Sequence, residues 1–366
     1  MKPDLTRRRL LSAGLSVASI LALPLRAEVL STGTDSEGML LGAWSVGEAS
    51  YAGVWDKRFG TRGVLLPKRA HDVIPVPGTP SQAIAVARRP GTFLHRFDFH
   101  SATSLLHKEV EVMRYFSGHA AFSNDERTLF TSEHDLISGN GLLGVRAADT
   151  MEKLTEIPTY GVGPHEILVE PDGNLLIANG GVLTIPGAYA ANQISEPISP
   201  SLVRVDPKNG KLLGQWHLPD SWLSIRHLAL GRNGNVGIAL QSAHPVVDAR
   251  LAAPVFALLD NNRLRLVKAA DGVNLQGYAG DIACVHRSEQ DLFVLGCSHA
   301  EALAIWSTDG IWIGSVPLTS ACAVAANGKI LTAVTDKGEM VSLSESGAIT
   351  RHPNLGVEWD NHAVSI

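Results

Sequence analysis

Five histidines, His71, His119, His165, His227 and His362, each open a short apolar segment: His-Asp-Val-Ile, His-Ala-Ala-Phe, His-Glu-Ile-Leu, His-Leu-Ala-Leu and His-Ala-Val-Ser-Ile. Two further segments of the same kind, Asp-Ile-Ala-Cys from Asp281 and Cys-Ala-Val-Ala from Cys322, carry a carboxylate and a thiol at that place. Imidazole, carboxylate and thiolate are all metal ligands, and an imidazole-rich set suits iron, copper or zinc. If each segment is the innermost strand of one unit in a ring, its opening residue faces a central channel at a common level. The set then forms one site. A second reading stays open at this stage, in which the histidines only hydrogen-bond neighbouring strands and lock unit to unit.

Other polar residues share the same neighbourhood. Glu166 follows His165, Arg226 precedes His227, and Asp360-Asn361 precedes His362. The run Glu133-His134-Asp135 ends a strand in the unit that His119 opens, where it would add two carboxylates and an imidazole at the channel mouth or form a solvated loop. Glu133, His134, Asp135, Glu166, Arg226, Asp281, Cys322 and Asp360 are therefore expected as a supporting shell around the five histidines. The sequence has no Gly-x-Ser-x-Gly elbow, no Cys-x-x-Cys-His haem attachment and no glycine-rich phosphate loop.

The elements that must position these residues repeat with them. Between successive openings lies a strand, a turn rich in Asp, Asn, Ser or Gly, and another strand: VWDKRFGTRGVLL, HRFDFHSATSLL, VRAADTMEKLTEI, VRVDPKNGKLLGQW, ALLDNNRLRLV, IWSTDGIWIGSV and VSLSESGAIT. Those turn residues tolerate the tight backbone of a hairpin. The openings recur roughly every 40 to 62 residues, the length of a four-stranded propeller blade, and the segments lack the 3.6-residue period of helices. The chain is expected to be all-β, a seven-bladed β-propeller of the WD40/YVTN/quinoprotein-like architecture. Closure is also legible. GMLLGAWS, YAGVWD and GVLLPK supply three strands before His71 without an inner one, and the segment from His362 to Ile366 is an inner strand without a blade. Joining the ends removes two exposed edges.

At 366 residues with 45% hydrophobic and 18% charged residues, the chain can bury a large core, and no linker interrupts the repeat. A net charge of -5 gives no basic footprint for nucleic acid. The N-terminus differs in kind: Thr6-Arg7-Arg8-Arg9-Leu10-Leu11 precedes an apolar stretch to Leu25 and ends at Leu25-Arg26-Ala27. Residues 1–27 are expected to be a twin-arginine export signal, with an ordinary secretory signal or an uncleaved anchor as alternatives, and 28–366 a single domain. The stretch is short for a membrane span, so none is expected after cleavage. Cys284, Cys297 and Cys322 would enter an oxidising compartment, but the hairpin register does not set Cys284 opposite Cys297, and buried thiols are the plainer expectation. The longest interval contains Gly180 to Pro200, a candidate lid or docking loop.

GVGPHEILVEPDGNLLIANGG at 161–181, PSLVRVD at 200–206, LSIRHLAL at 223–230, FSGHAAFS at 116–123 and the terminal WDNHAVSI together resemble the domain-of-unknown-function 1513 family, over nearly all of the chain beyond the signal. The resemblance implies a bacterial propeller exported to the periplasm by the twin-arginine route. It implies association with iron-acquisition systems that include imelysin-like proteins and haem-containing oxidoreductases, and characteristic histidines at His71, His119, His165, His227 and His362. The loop after Gly181 and the segment QSAHPVVDARLAAP at 241–254 depart from the family pattern. The expected function is a periplasmic module that binds iron or another transition metal, or docks partners in iron uptake. The alternatives are a metal-dependent lactonase-like hydrolase or oxidoreductase, and a pure interaction scaffold. An ion held mostly by imidazole, with few carboxylates, favours binding over hydrolysis.

Overall fold

The computed structural model describes residues 38–184 and 197–366. The expected signal at 1–27 and most of the Gly180–Pro200 loop lie outside the described residues. Within them the chain forms seven four-stranded antiparallel sheets, built from strands numbered β1 to β28 in chain order. Six blades are contiguous in sequence. The first is composite: β1 (Leu40–Val46), β2 (Ala49–Asp56) and β3 (Gly60–Leu66) are completed on the inside by β28 (Glu358–Ser365). The expected closure by the C-terminal strand is therefore the observed one.

The other six inner strands are β4 (Ala70–Pro75), β8 (Arg114–Phe122), β12 (Pro164–Val169), β16 (Leu223–Leu230), β20 (Asp281–His286) and β24 (Ala321–Asn327). The turn signals read from the sequence fall between the third and fourth strands of each blade. One short helix, α1 (Val247–Ala252), lies in the 241–254 segment between strands of the fifth blade.

Face-to-face packing of adjacent sheets provides the core. Seven clusters of buried apolar side chains lie one between each pair of neighbouring blades, from Leu41, Val54, Ala85 and Phe97 between the first two blades to Phe256, Phe293 and Trp306 between the fifth and sixth. Each inner strand thus has both faces occupied by blades, which leaves its axis-facing residues to line the channel.

The seam of the ring is reinforced by Trp359. Its ring stacks on Trp44 of β1 at a centroid distance of 5.6 Å, and its indole N–H donates to the carbonyl of His362 at 3.0 Å. Gly42 makes room for it, since a Cβ there would lie 2.3 Å from the indole. Trp359→Ala is expected to cost about 3–5 kcal/mol in chemical denaturation. Val112→Ala, at an exposed turn, is expected to stay within about 0.5 kcal/mol.

Candidate functional site: a histidine cluster on the propeller axis

Six of the seven inner strands are bulged where the repeat places its opening residue. His71 is the extra residue between the Ala70 and Asp72 pairs of β4, Arg226 between Ile225 and His227 of β16, and Cys322 between Ala321 and Ala323 of β24. Ser117 to His119 in β8, His165 and Glu166 in β12, and Asp360 to His362 in β28 each stand opposite a single partner residue. In β20 the ladder runs without a shift. A bulge bends its strand and re-aims side chains, and here it turns the imidazoles toward the axis.

The five histidines meet. Ring centroids follow one another around the axis at 4.9 Å (His71–His119), 4.6 Å (His119–His165), 4.7 Å (His165–His227), 4.5 Å (His227–His362) and 4.6 Å (His362–His71). The circuit skips the sixth and seventh blades, which carry Asp281 and Cys322. Distances across it, 4.9 Å for His119–His362, 5.3 Å for His119–His227, 5.5 Å for His71–His165 and 6.4 Å for His71–His227, all fall short of the diagonals of a flat regular pentagon with these sides. The rings are therefore clustered rather than spread in a flat circle. All five are buried, none more than 8% exposed. Gly118 has a positive φ of 112°, and a Cβ there would lie 2.6 Å from the His71 ring, so the close packing of two imidazoles requires glycine in β8.

The ring nitrogens are sorted by direction. The Nε2 atoms face inward, His165 to His227 at 3.3 Å and His362 to His71 at 3.3 Å, while His119 Nε2 is buried without a partner. Four Nδ1 atoms face carboxylates: His362 to Asp281 at 3.1 Å, His119 to Asp72 at 3.3 Å, His227 to Glu166 at 3.3 Å, and His71 to Asp360 at 3.6 Å. The first two are hydrogen bonds; the last two are looser contacts, because His71 Nδ1 and His227 Nδ1 lack a well-aligned partner. A carboxylate on Nδ1 fixes the tautomer that leaves Nε2 free to ligate.

These residues fit a metal ion. Two imidazole nitrogens at about 2.0–2.1 Å from one tetrahedral ion lie roughly 3.3 Å apart, which is the separation of both facing pairs. Two triads, His71-His119-His165 and His119-His227-His362, each place one donor atom per residue within 4.8 Å of the others, so the widest pairs would close by up to about 1.5 Å around a tetrahedral ion. A third group, Cys284-His286-Asp291, has similar spacing, but both oxygens of Asp291 already accept from Arg232, Oδ1 from Nε and Nη2 and Oδ2 from the backbone N–H and Nε.

Protonation is divided within the cluster. Burial first, then neighbouring imidazoles, hold His71, His165 and His227 well below the ordinary histidine value. Burial also lowers His119 against the pull of Asp72. His362 is the exception: burial would lower it, but Asp281, Asp72 and Glu166 outweigh that and push it up to about 9. Burial pushes Glu166 up to about 8 and raises Asp281, in both cases against His362.

The remaining expected residues divide between the axis and elsewhere. Cys322 lies behind the cluster, its thiol donating to the Val334 carbonyl at 3.3 Å, with burial pushing it far above the ordinary thiol range. All three cysteines are free and buried, and Cys284 pairs with Phe293 rather than Cys297 across the hairpin. Glu133 does not face the channel. It is fully buried in the third blade, bound by Arg146 at 2.8 Å and Lys153 at 2.6 Å, and Asp135 points outward to Arg114 at 2.9 Å. Alternation along β9 (Thr128–Asp135) explains why the three neighbours part company. His134, between them, joins Arg226 and Arg89 near the channel: both guanidinium charges bear on it, and after burial they help hold it down at about 4.

Asp72, Arg69, Arg88 and Arg89 were not anticipated. Asp72 had a signal, since it stands one residue after His71 as Glu166 stands one after His165. The arginines follow or precede strand ends and carry no repeat signature. Arg69 and Arg88 bind Asp360 at 2.7 and 3.0 Å.

A seven-bladed propeller whose axis is filled by histidines is the class that fold and site define. The chain belongs to the DUF1513 family, proteins of unknown function, whose model matches residues 64–366. No curated protein matches it. Among solved structures it is similar to Kuenenia stuttgartiensis hydrazine synthase, with TM-score 0.60 and 16% identity over 84% of this chain and 90% of that one. It is also similar to a streptogramin B lyase, with TM-score 0.52 and 10% identity over 77% and 82%. At these identities the likeness concerns the fold.

Glu133→Gln is expected to destabilise the protein by about 3–5 kcal/mol, because Arg146 and Lys153 lose a buried counter-charge. Denaturation should register that loss while any metal content stays at the wild-type level.

Proposed function

We propose that the protein is a metal-binding module, with iron as the leading ion, and that the five inward Nε2 atoms hold the ion on the propeller axis. The observation that carries this reading is the sorting of nitrogens, in which Nε2 atoms stand about one metal-ligand edge apart while four Nδ1 atoms are backed by carboxylates. A ring serving only to glue blades would be expected to satisfy its buried nitrogens with fixed partners, because an orphaned buried polar atom costs stability. Here His119 Nε2 has no partner and the facing Nε2 pairs have only each other. Imidazole suits iron, copper and zinc alike, and the choice of iron, like export to the periplasm and work beside imelysin-like proteins or haem oxidoreductases, rests on the family resemblance.

The chain's own residues would serve such an ion in distinct ways. His71, His119, His165, His227 and His362 supply donors. Asp281 and Asp72 orient His362 and His119, and Glu166 and Asp360 face His227 and His71. Of the four carboxylates, Glu166 still holds its proton at neutrality and Asp360 is bound by Arg69 and Arg88, so the charge that would offset a cation comes from Asp72 and Asp281. A bound ion would act as a Lewis acid or redox centre, according to its identity.

Metal analysis by mass spectrometry on the exported full chain tests this. One equivalent of iron, copper or zinc is expected in wild type, and none in a His119→Ala/His165→Ala/His227→Ala variant that still unfolds cooperatively. Absence of metal from wild type, also after incubation with each ion, would sink the reading. Asp281→Asn is expected to weaken metal binding about 10- to 100-fold. Affinity should also rise with pH. His362 and Glu166 still hold protons at neutrality, with values of about 9 and 8, and ligation must displace the His362 proton. Titrations across that range should show proton release and an affinity that levels off above about pH 9.

A further inference from the structure

Charge reverses across the histidine cluster. Asp72 and Glu166 follow their histidines along the inner strands, whereas Arg226 and Arg89, on the side where those strands begin, are cationic. Arg226 immediately precedes His227. Arg89 lies two residues past the end of β5 (Gln82–Ala87), whose last residue pairs with Ala70 at the start of β4, and His134 pairs with Tyr115 near the start of β8. Asp360 is on this side too, but Arg69 and Arg88 occupy it.

Arg89 and Arg226 have no ion-pair partner among the described residues. Arg226 is 5% exposed, and its Nε and Nη1 are buried without hydrogen-bond partners. Arg89 Nη1 and both ring nitrogens of His134 are likewise buried and unpartnered. Arg89 and Arg226 act on one another as like charges, and both act on His134 and on His165. Gly180 leaves space beside the guanidinium: a Cβ there would stand 3.3 Å from Arg226 Nη1 and 2.9 Å from Ser224 Oγ. A guanidinium does not give up its proton to escape burial. Arg226 is buried and Arg89 is half-buried with its Nη1 enclosed, and guanidinium charge held this way without a counter-ion among the described residues is costly to a fold.

We infer that this strand-start mouth of the channel is an oxyanion site, in which the guanidinium forks of Arg226 and Arg89, with His134 beside them, bind a carboxylate or phosphate group of a small ligand. Planar donor forks match both oxyanions bidentately. The site needs no ion on the histidines, although an anion seated there lies next to His165, whose Nδ1 is also unpartnered.

The test is calorimetric and thermal-shift titration of the chelator-treated full chain, in chloride-free buffer, with inorganic phosphate and with malonate. Chelation keeps the result separate from the metal reading, so either can fail alone. Saturable binding of at least one anion is expected; phosphate or malonate alone would name the group. Arg226→Gln and Arg89→Gln should each weaken it by about tenfold or more, and Arg226→Lys, which keeps the charge but loses the fork, should weaken it too. In anion-free buffer Arg226→Gln should melt at or above the wild-type temperature, because a repulsion is removed; an arginine with a purely structural role would melt lower. No saturable binding to wild type, or wild-type affinity in both Arg89→Gln and Arg226→Lys, would overturn the proposal.

Discussion

Pairing of β28 with β1 is the interaction on which the rest of the structure depends. Without it the first blade lacks an inner strand, and two edges stand open to other chains. The same strand brings His362 and Asp360 to the axis. Closure of the ring and completion of the histidine cluster are therefore one event, spanning nearly the whole described chain. Trp359 ties them together physically: it packs on Trp44 of the neighbouring strand while its indole N–H holds the carbonyl of His362.

Seven blades would ordinarily hold their opening residues apart around the axis. Two features contract the set. Bulges in the five histidine-bearing strands turn the side chains inward, and the two blades without a histidine carry shorter groups. Asp281 then serves from the wall, drawing His362 by its Nδ1 while its other oxygen accepts the Val324 backbone N–H at 2.9 Å. The result is five imidazoles whose successive ring centroids stand 4.5 to 4.9 Å apart. The departures from the repeat at Asp281 and Cys322 thus belong to the design of the axis.

The architecture was legible in the sequence because blades repeat. Hairpin turns and apolar runs recur at a fixed phase, and unpaired ends reveal the closure, so His71, His119, His165, His227 and His362 could be placed on one level before any geometry was known. The bulges were not legible, since a bulge is an excess of one or two residues against a partner strand and leaves no mark in composition. Glu133 and His134 show a second limit. Adjacent residues on one strand point to opposite faces, so a run of three polar residues cannot belong to one site, and sequence spacing did not say which of them would reach the channel. Arg89 shows a third. Its significance lies in lacking a partner, and a missing partner has no sequence signature.

The polar groups of the axis are arranged in layers along it. Asp72 and Glu166 lie past the histidines along the inner strands, the imidazoles fill the middle with Nε2 inward, and Arg89, Arg226 and His134 lie where the strands begin. Such layering follows from the fold, because each inner strand runs in the same sense past the axis and residues before and after the histidine are delivered to opposite sides. It also separates two chemistries that would otherwise neutralise one another: were Glu166 placed one residue before its histidine rather than one after, it would stand on Arg226's side of the ring as its counter-ion. The ring of histidines keeps Asp72 and Glu166 apart from Arg89 and Arg226, and since Asp360 on the basic side is already bound by Arg69 and Arg88, those two arginines keep their charge uncompensated among the described residues.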